Sequence, residues 1–315
     1  MKALVTGCAG FIGSHLTERL LRDGFDVIGI DCFTDYYARA YKEKNIEKSL
    51  ENERFTLLEQ DLRSMENFPA VDYVFHQAAQ AGVRKSWGAD FEIYISDNIQ
   101  ATQRLLEHYK DEPIKKFVYA SSSSVYGDCE LPMNEMRLLK PVSPYGVTKL
   151  AAENLCYLYY KNYGVPTASL RYFTVYGPRQ RPDMAIHLFV RAIMNGEAIT
   201  VYGDGEQTRD FTFVFDIVDA NILSALSDSS GEVFNVGGGS RISVNELIRT
   251  IEEVAGMKAD VRYIKKQKGD VNDTLADVSR IKELGWNAKT GIRDGVKRFV
   301  EWYRGEILNN ASYPV

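Results

Sequence analysis

The chain has 315 residues, of which 45% are hydrophobic and 26% charged, and its formal net charge at pH 7 is -5. That composition is typical of a globular protein with one large or two joined domains. The negative net charge gives no indication of nucleic acid or an anionic membrane as a partner. No apolar run reaches bilayer-spanning length. The first residues already enter a predicted strand, so we expect no signal peptide and a cytoplasmic location. Four scattered cysteines and four histidines without zinc-ligand spacing predict reduced thiols and no metal site.

Short apolar runs alternate with amphipathic segments through the first half of the chain. The runs predict strands at Lys2–Val5, Asp26–Ile30, Phe55–Leu58, Tyr73–Phe75, Lys116–Ala120 and Thr167–Leu170. The segments predict helices near Ile12–Asp23, Tyr37–Glu51, Asn98–Tyr109 and Ser143–Tyr163. Several strands are apolar nearly throughout, as in a parallel sheet covered on both faces. This alternation predicts an α/β fold with a Rossmann-type, doubly wound parallel sheet.

The order changes after Gly177-Pro178. The predicted elements there are a helix at Ala185–Asn195, strands at Phe211–Val214 and Val233–Val236, and a helix from the capping box at Ser243 to about Ala255. We therefore expect a Rossmann domain made of residues 1–174 plus about 212–236. A smaller C-terminal α/β lobe would comprise about 175–211 plus 237–315.

A glycine-rich turn, Gly7-Cys-Ala-Gly10-Phe-Ile-Gly13, joins the first predicted strand to the first helix. Such a turn lets the backbone approach a pyrophosphate at a helix N-terminus. The next strand ends in Asp31, which can bind both ribose hydroxyls and would repel a 2′-phosphate, so NAD is preferred to NADP as cofactor. The other expected cofactor contacts are Phe11, Ile12, Asp61, Leu62, Ala78, Ala79 and Tyr172.

Tyr145 and Lys149 lie four residues apart and so share one face of a predicted helix. A lysine ammonium close to a phenol favours the phenolate and lowers the pKa of the tyrosine. Tyr145 would then be a base that takes a proton from an alcohol near neutral pH. Taken alone, the Tyr145–Lys149 pair is also compatible with an ordinary surface helix. His76, at the end of the fourth predicted strand, is compatible with either a structural or a catalytic role.

The glycine turn, the Ser121–Gly127 stretch and Tyr145-x-x-x-Lys149 together resemble the extended short-chain dehydrogenase/reductases, the NAD-dependent epimerases and dehydratases, over essentially the whole chain. The resemblance implies a Rossmann domain that holds NAD tightly and a C-terminal lobe that binds a nucleoside-diphosphate sugar. It implies that Tyr145 is the base, that Lys149 holds the nicotinamide ribose, and that Ser122, or secondly Ser123, supplies a catalytic hydroxyl. It also implies a homodimer formed through the helices near Asn98–Tyr109 and Ser143–Tyr163.

The serine stretch bears on the type of reaction. Family members that are 4,6-dehydratases carry Thr-Asp-Glu at the comparable place, and UDP-glucuronate decarboxylases carry a Glu in place of Ser124. A serine can polarise a group or relay a proton, but it cannot act as a carboxyl acid or base at neutral pH. The similarity therefore favours oxidation at C4 followed by reduction from the opposite face. A flexible loop is the alternative for the serine run, but its position between a strand and Val125-Tyr126-Gly127 favours function.

The segment from Arg171 to Ala185 points to the sugar. Thr174-Val-Tyr-Gly-Pro followed by Arg181-Pro-Asp-Met-Ala is similar to the UDP-glucuronate 4-epimerases, whereas UDP-glucose 4-epimerases commonly carry Asn in place of Thr174. A planar guanidinium binds a carboxylate bidentately. We therefore expect Arg181, with Thr174, to hold the C6 carboxylate of a uronic acid; the alternative is a surface or interface arginine.

Further expected substrate contacts are Arg209 to phosphate, Tyr202 stacked on uracil, Asp270 on the uridine ribose, and Arg84 and His187 near the sugar. A structural role is the alternative for each of them. The predicted function is thus conversion of UDP-glucuronate to UDP-galacturonate through a transient 4-keto sugar. The alternatives are a 4-epimerase of UDP-glucose or UDP-N-acetylglucosamine, then a UDP-glucuronate decarboxylase, and, from another class, a dinucleotide-sensing protein without catalysis.

Overall fold

The computed structural model of the protein describes residues 1–265 and 271–308. Within them, seven strands form one parallel sheet in the order β10-β6-β5-β4-β1-β2-β3. These strands are β1 Lys2–Thr6, β2 Asp26–Asp31, β3 Phe55–Glu59, β4 Tyr73–His76, β5 Lys116–Ser122, β6 Thr167–Tyr172 and β10 Glu232–Val236. The sheet confirms the predicted Rossmann-type α/β fold.

Helices cover both faces of this sheet. They are α1 Phe11–Arg22, α2 Arg39–Leu50, α3 Phe91–Tyr94, a π-helical turn Ile95–Gln100, α4 Ala101–Tyr109, α5 Pro144–Tyr163 and α7 Val214–Leu226. Strand β1 shows why the strands are apolar throughout. Ala3 and Val5 pack in the core cluster that includes α1 and α7, whereas Leu4 packs in the opposite cluster with α4 and α5. The helix predicted from Asn98 in fact begins earlier, at α3.

A second group of elements forms its own core. Its strands are β7 Thr174–Tyr176, β8 Ala198–Tyr202, β9 Thr208–Phe213, β11 Ser240–Ser243 and β12 Asp260–Ile264, arranged as a three-stranded sheet β11-β9-β7 and a pair β12-β8. Its helices are α6 Ala185–Asn195, α8 Val244–Ala255 and α10 Ile292–Trp302. Phe213 and Phe299 are fully buried between them. The strand predicted at Phe211–Val214 is therefore β9, which pairs within the small sheet rather than returning to the large one.

The C-terminal segment does not lie wholly with the smaller group. The short helix α9 Ser279–Glu283 contacts β10, and Ile281 and Trp286 are buried in the core of the large sheet. The Trp286 indole N–H donates to the Asp216 carbonyl, 2.8 Å away, in α7. The expectation that residues 237–315 form one lobe with 175–211 is corrected here, because this apolar pair packs beneath the Rossmann helices. None of the helices in the described ranges is long and apolar enough to cross a membrane.

Candidate active site

A cleft lies at the carboxyl ends of the parallel strands, where the strand order reverses between β1 and β4. This reversal is the usual ligand site of doubly wound sheets. Every residue expected to contact the cofactor lines the cleft: Gly7, Gly10, Phe11, Ile12, Gly13, Asp31, Asp61, Leu62, Ala78, Ala79, Tyr145, Lys149 and Tyr172. Local motifs that are far apart in sequence thus meet in one place.

The glycine turn is closely packed and leaves no room for side chains. A Cβ on Gly13 would lie 2.0 Å from the Gly7 carbonyl oxygen, and a Cβ on Gly7 would lie 2.9 Å from the Ala78 backbone. Helix α1 begins after Gly10, which has no side chain to cap the first turn. The backbone N–H groups of that turn therefore border the cleft with the positive end of the helix dipole, as pyrophosphate binding requires.

Asp31 is fixed at the end of β2. Its Oδ1 accepts a hydrogen bond from the Phe33 N–H (2.8 Å) and its Oδ2 from the Ala9 N–H (3.1 Å). The carboxylate is thereby held between the glycine turn and the chain after β2, where it lines the cleft. Together with the turn it fits a dinucleotide with a free ribose 2′-hydroxyl.

Tyr145 and Ser122 meet between α5 and the end of β5. Burial raises the pKa of the Tyr145 phenol, while a hydrogen bond with Ser122 and the positive charge of Arg181 oppose that increase. The catalytic hydroxyl favoured from the sequence therefore lies close enough to the expected base to lower its pKa. Ser122 Oγ also accepts a hydrogen bond from the Ser124 N–H at 3.1 Å, which fixes its rotamer.

The expected effect of Lys149 on Tyr145 is corrected by the structure. The Lys149 ammonium donates a hydrogen bond to the Ala120 carbonyl at 2.8 Å, and burial lowers its pKa to about 7. Its positive charge is therefore weakened near neutral pH, and Arg181 is the cation whose charge opposes the rise that burial causes in the pKa of Tyr145. Lys149 still lines the cofactor cleft beside Tyr145.

The alternatives for His76 are resolved by its surroundings. The imidazole lies between the hydroxyls of Thr6 (2.7 Å) and Thr102 (2.9 Å) and is 1% exposed. Burial, with a smaller contribution from the Lys149 charge, lowers its pKa to about 3. His76 is therefore a neutral structural residue that ties β4 to β1 and α4.

A second pocket lies next to the cofactor cleft. Ser123, Ser124 and Thr174 line it together with Arg209. Ser121 and Tyr145 line the cofactor cleft, whereas Ser123 lines the second pocket. The cleft and the pocket therefore meet at Ser122 and Tyr145. The second catalytic candidate, Ser123, therefore belongs to the outer pocket of hydroxyls.

Arg181 lies in the first cleft, near Tyr145. Its Nε and Nη2 donate to the two carboxylate oxygens of Asp183 at 2.9 and 3.1 Å, and its guanidinium carbon lies 5.5 Å from the Tyr36 ring centre. A guanidinium has five N–H donors, so the Nη1 group can still bind a second acceptor. The alternative of a surface arginine is corrected, because Arg181 faces the cleft beside the expected base.

The remaining expected substrate contacts fall into two groups. The Arg84 guanidinium lies 4.2 Å over the Tyr202 ring, so this face of the ring is already covered by a cation. Arg209 donates to the carbonyls of Val271 (2.8 Å) and Asn272 (2.9 Å), which fixes its guanidinium at the outer pocket. Asp270 lies outside the described residues.

The expectation that His187 lines the sugar pocket is corrected. Its ring is 1% exposed and lies edge-to-face with Phe299, Trp302 and Tyr303, with centroid separations of 5.8, 6.0 and 5.5 Å. Burial lowers its pKa to about 4, so the ring is neutral. His187 belongs to the core of the smaller sheet because aromatic residues of α10 and the turn after it enclose it.

A buried polar network supports the active-site strand. Arg171 binds the Glu153 carboxylate through Nη2 (2.6 Å) and Nε (3.0 Å), and Ser121 Oγ donates to the same carboxylate (2.7 Å). Tyr126 accepts a hydrogen bond from Arg171 and donates one to Asn235, both at 2.7–2.8 Å. This network was not predicted from the sequence, although Glu153 continues the four-residue spacing of Tyr145 and Lys149 along α5.

The cleft also contains Tyr36, Tyr37 and Lys42, which the sequence analysis did not single out. They lie in the chain after β2 and in α2, a segment that was predicted only as a helix near Tyr37–Glu51. Their position directly after Asp31 is the signal that could have identified them, since that connection borders the ribose site.

The sequence model of the NAD dependent epimerase/dehydratase family matches residues 3–237, most of the chain. The chain therefore belongs to the NAD-dependent epimerase/dehydratase family. The resemblance drawn from the motifs and the expected cofactor, NAD, are thereby confirmed.

Individual relatives match along their full length. The chain is 44% identical to an uncharacterized UDP-glucose epimerase, YtcB, of Bacillus subtilis (strain 168), over 97% of this chain and 100% of the relative. It is 40% identical to a UDP-glucuronate 4-epimerase of Thermodesulfobacterium geofontis (strain OPF15), with 96% of each chain covered. The crystal structure of a UDP-glucuronic acid 4-epimerase from Bacillus cereus, in complex with UDP-glucuronic acid and NAD, superposes with a TM-score of 0.93 at 39% identity, covering 96% of this chain and 99% of that one.

Proposed function

We propose that this protein is an isomerase, an NAD-dependent 4-epimerase that converts UDP-glucuronate to UDP-galacturonate through a transient 4-keto sugar. The observation that carries the proposal is the placement of Tyr145 and Ser122. Tyr145 lines the cofactor cleft, and Ser122 lies between Ser121 of that cleft and Ser123 of a neighbouring pocket of hydroxyls. Among the described residues that line the outer pocket, none carries a carboxyl group. The outer pocket therefore lacks the carboxyl acid and base that dehydration needs, and its lining carries no negative charge that would repel an anionic sugar.

Tyr145 takes the proton of the sugar 4-hydroxyl and later returns it. NAD, when bound, supplies the hydride chemistry, accepting hydride from C4 and giving it back. Ser122 orients the phenol through its hydrogen bond, and Lys149, held by Ala120, borders the ribose side of the cleft. The 4-keto sugar must turn over between the two hydride transfers. The nucleotide must therefore stay bound throughout, and any contact to the sugar ring or its carboxylate must be released while the ring turns and formed again afterwards.

The two parts of the chain divide these tasks. The large sheet, with residues 1–174 and 212–236, binds NAD, because the glycine turn and Asp31 belong to it. The smaller group of elements, formed by the segment 175–211 and by β11, α8, β12 and α10, binds the UDP-sugar, with Arg209 at the diphosphate. Arg84, Tyr202 and Asp270 are the further contacts proposed for the nucleotide and sugar.

The substrate carboxylate is held by Arg181 and Thr174. Arg181 lines the cofactor cleft and Thr174 lines the neighbouring pocket, which is the arrangement that supports this assignment. A 4-keto uronate is a β-keto acid that loses CO2 when its C5–C6 bond lies parallel to the carbonyl π system. The guanidinium and hydroxyl keep that bond out of alignment, which separates an epimerase from a decarboxylase.

An Arg181→Ala variant tests this clamp. We expect it to convert UDP-glucuronate to a UDP-linked pentose and CO2 and to lose C4 epimerisation. Arg191→Ala, 40% exposed on α6, serves as the matched control. Unchanged epimerisation of UDP-glucuronate by Arg181→Ala would show that the carboxylate is held elsewhere.

One incubation distinguishes the candidate reactions. The enzyme, without added NAD, is mixed with UDP-glucuronate, UDP-glucose and UDP-N-acetylglucosamine, and the products are identified by NMR. UDP-galacturonate supports the proposal, and UDP-xylose refutes it. UDP-galactose alone would favour the second candidate, a UDP-glucose epimerase, which the name of the Bacillus subtilis relative supports. No turnover would favour a dinucleotide sensor.

We also propose that the enzyme is a cytoplasmic homodimer formed through α3, α4 and α5. Ile93, Val147, Tyr157 and Leu158 on these helices are 45–54% exposed, and apolar side chains of this kind are what helical interfaces bury. The four cysteines are free thiols, which suits a reducing compartment. A light-scattering mass equal to one chain would refute the dimer.

A further inference from the structure

We propose that His187 and Gln180 are positioning residues that fix the backbone next to Arg181 and thereby direct the 4-keto uronate toward reduction rather than loss of CO2. The inference rests on the proposed reaction of UDP-glucuronate. It gives a role to a buried histidine that touches neither cavity wall and to a glutamine that is 2% exposed.

Gln180 and His187 form a closed set of hydrogen bonds. The His187 backbone N–H donates to Gln180 Oε1 at 3.2 Å, and the imidazole Nδ1 lies 2.7 Å from the Gln180 carbonyl oxygen. Since that carbonyl can only accept, Nδ1 carries the proton. Gln180 Nε2 donates to the Val175 carbonyl at 2.9 Å. Both ends of the glutamine amide are therefore tied down within the protein.

The histidine ring itself cannot turn. The rings of Phe299, Trp302 and Tyr303 surround it edge-to-face, all in the core of the smaller sheet. Movement of the ring would require repacking this close-packed core. The position of the Gln180 carbonyl, one peptide before Arg181, is thus set by a rigid body.

The preceding residues are anchored on the other side of the cleft. His15 Nε2 lies 2.9 Å from the Pro178 carbonyl oxygen, and Arg179 pairs with Glu18 at 2.6 Å, so both contacts reach α1. Arg179 has a φ of 66°, a conformation that side chains other than glycine rarely adopt. Such a residue keeps this conformation only when its surroundings hold it. The chain that leads to Arg181 is therefore fixed between α1 and α6.

The exact position of the Arg181 guanidinium matters because two reactions compete for the 4-keto intermediate. In decarboxylation the C5–C6 bond breaks, its electron pair moves into the C4 carbonyl, CO2 leaves, and the resulting enol takes a proton at C5. In epimerisation hydride returns to C4 and the C5–C6 bond is never aligned. A guanidinium displaced by about 1 Å loses the hydrogen-bond geometry of its free Nη1 group toward the substrate. Loss of the His187–Gln180 bonds would therefore let the carboxylate swing into alignment.

Two substitutions of His187 separate positioning from simple packing. An asparagine amide can donate from the place of Nδ1, whereas a leucine cannot. We expect His187→Leu to raise the ratio of pentose to UDP-galacturonate about tenfold, as loss of one buried hydrogen bond permits. His187→Asn should stay close to the wild-type ratio. Products are quantified by NMR with CO2 release, and the melting temperature of each variant is recorded.

The outcomes distinguish the positioning role of His187 from the carboxylate clamp formed by Arg181. A lower melting temperature for His187→Leu with an unchanged product ratio would overturn the inference, because His187 would then be structural only. If His187→Leu does not fold, the ratio given by Gln180→Met decides in the same way. If Arg181→Ala also leaves the ratio unchanged, the carboxylate clamp itself fails. If Arg181→Ala shifts the ratio and His187→Leu does not, only the positioning role is refuted.

Discussion

Removal of the Glu153 carboxylate is expected to lower the free energy of unfolding by about 3–5 kcal/mol, because it leaves a buried guanidinium without its counter-ion. The Arg171 and Glu153 side chains are only 3% and 5% exposed, and two hydrogen bonds of 2.6 and 3.0 Å join them. Ser121 Oγ would also lose its acceptor. Glu153→Leu is the substitution of choice, since leucine offers nothing to the guanidinium.

The size of the coupling is measured with a double variant. If the pair acts as one unit, the double variant Glu153→Leu with Arg171→Met should lose no more free energy of unfolding than Glu153→Leu alone. If the two residues acted independently, the double variant would lose about 6–10 kcal/mol. Urea unfolding followed by tryptophan fluorescence gives these values, and Trp286, 1% exposed, reports on the large core. A parallel assay of turnover should show a fall in kcat, since α5 carries Tyr145 and Lys149.

A matched control lies on the surface. Arg39 binds the Glu59 carboxylate through two hydrogen bonds of 2.7 Å, but the side chains are 48% and 50% exposed. Solvent screens such a pair, so Glu59→Leu should change stability far less than Glu153→Leu. Two results would refute the idea that burial makes the Glu153–Arg171 pair essential. One is an equal loss of free energy of unfolding in Glu59→Leu and Glu153→Leu, and the other is a double variant whose loss equals the sum of the two single losses.

Gly13→Ala should abolish co-purification of NAD, measured by absorbance after denaturation, because its Cβ would meet the Gly7 carbonyl at 2.0 Å; Gly291→Ala, with no atom within 4 Å, should retain NAD. Burial lowers the Lys149 pKa from 10.5 to about 7, so between those pH values only the unfolded chain binds that proton. In urea titrations of NAD-free protein, the free energy of unfolding of the wild type should therefore rise with pH across this window relative to that of Lys149→Met. A difference between the two proteins that stays constant or falls with pH would contradict this expectation. Arg209→Met should raise KM for the UDP-sugar about tenfold through a lost charge-assisted contact, with kcat little changed; an unaltered KM would remove Arg209 from the diphosphate site.

The cofactor half of the site was readable from the sequence because its signals are local. A buried parallel strand, a glycine turn and a helix follow one another within residues 2–22, and Asp31 ends the next strand. Each of these features depends on backbone geometry over a few residues, so its meaning does not require knowledge of distant partners. For the same reason, the predicted ends of the strands in the large sheet lie within one or two residues of the observed ends.

The parts that the sequence did not reveal depend on burial and on distant contacts. Glu153 meets Ser121 and Arg171, which lie 32 and 18 residues away. The effect of Lys149 on Tyr145 was misjudged because the hydrogen bond of Lys149 to Ala120 and its own desolvation cannot be read from a four-residue spacing. His187 was misjudged because its aromatic neighbours come from residues 299–303, more than a hundred positions later. Strands such as β7, with three residues, are too short for a periodic pattern.

The placement of α5 explains how catalytic groups stay fixed while the sugar rotates. Tyr145, Lys149 and Glu153 follow one another at four-residue intervals on one face of the helix. Their partners lie at consecutive positions of β5, since Tyr145 bonds Ser122, Lys149 bonds the Ala120 carbonyl and Glu153 bonds Ser121. The catalytic helix is therefore joined to the central sheet by one contact per turn. Because the Glu153–Arg171 pair also ties the helix to β6, the base cannot follow the sugar when it turns, and the same phenol can return its proton after the opposite face of C4 has been presented.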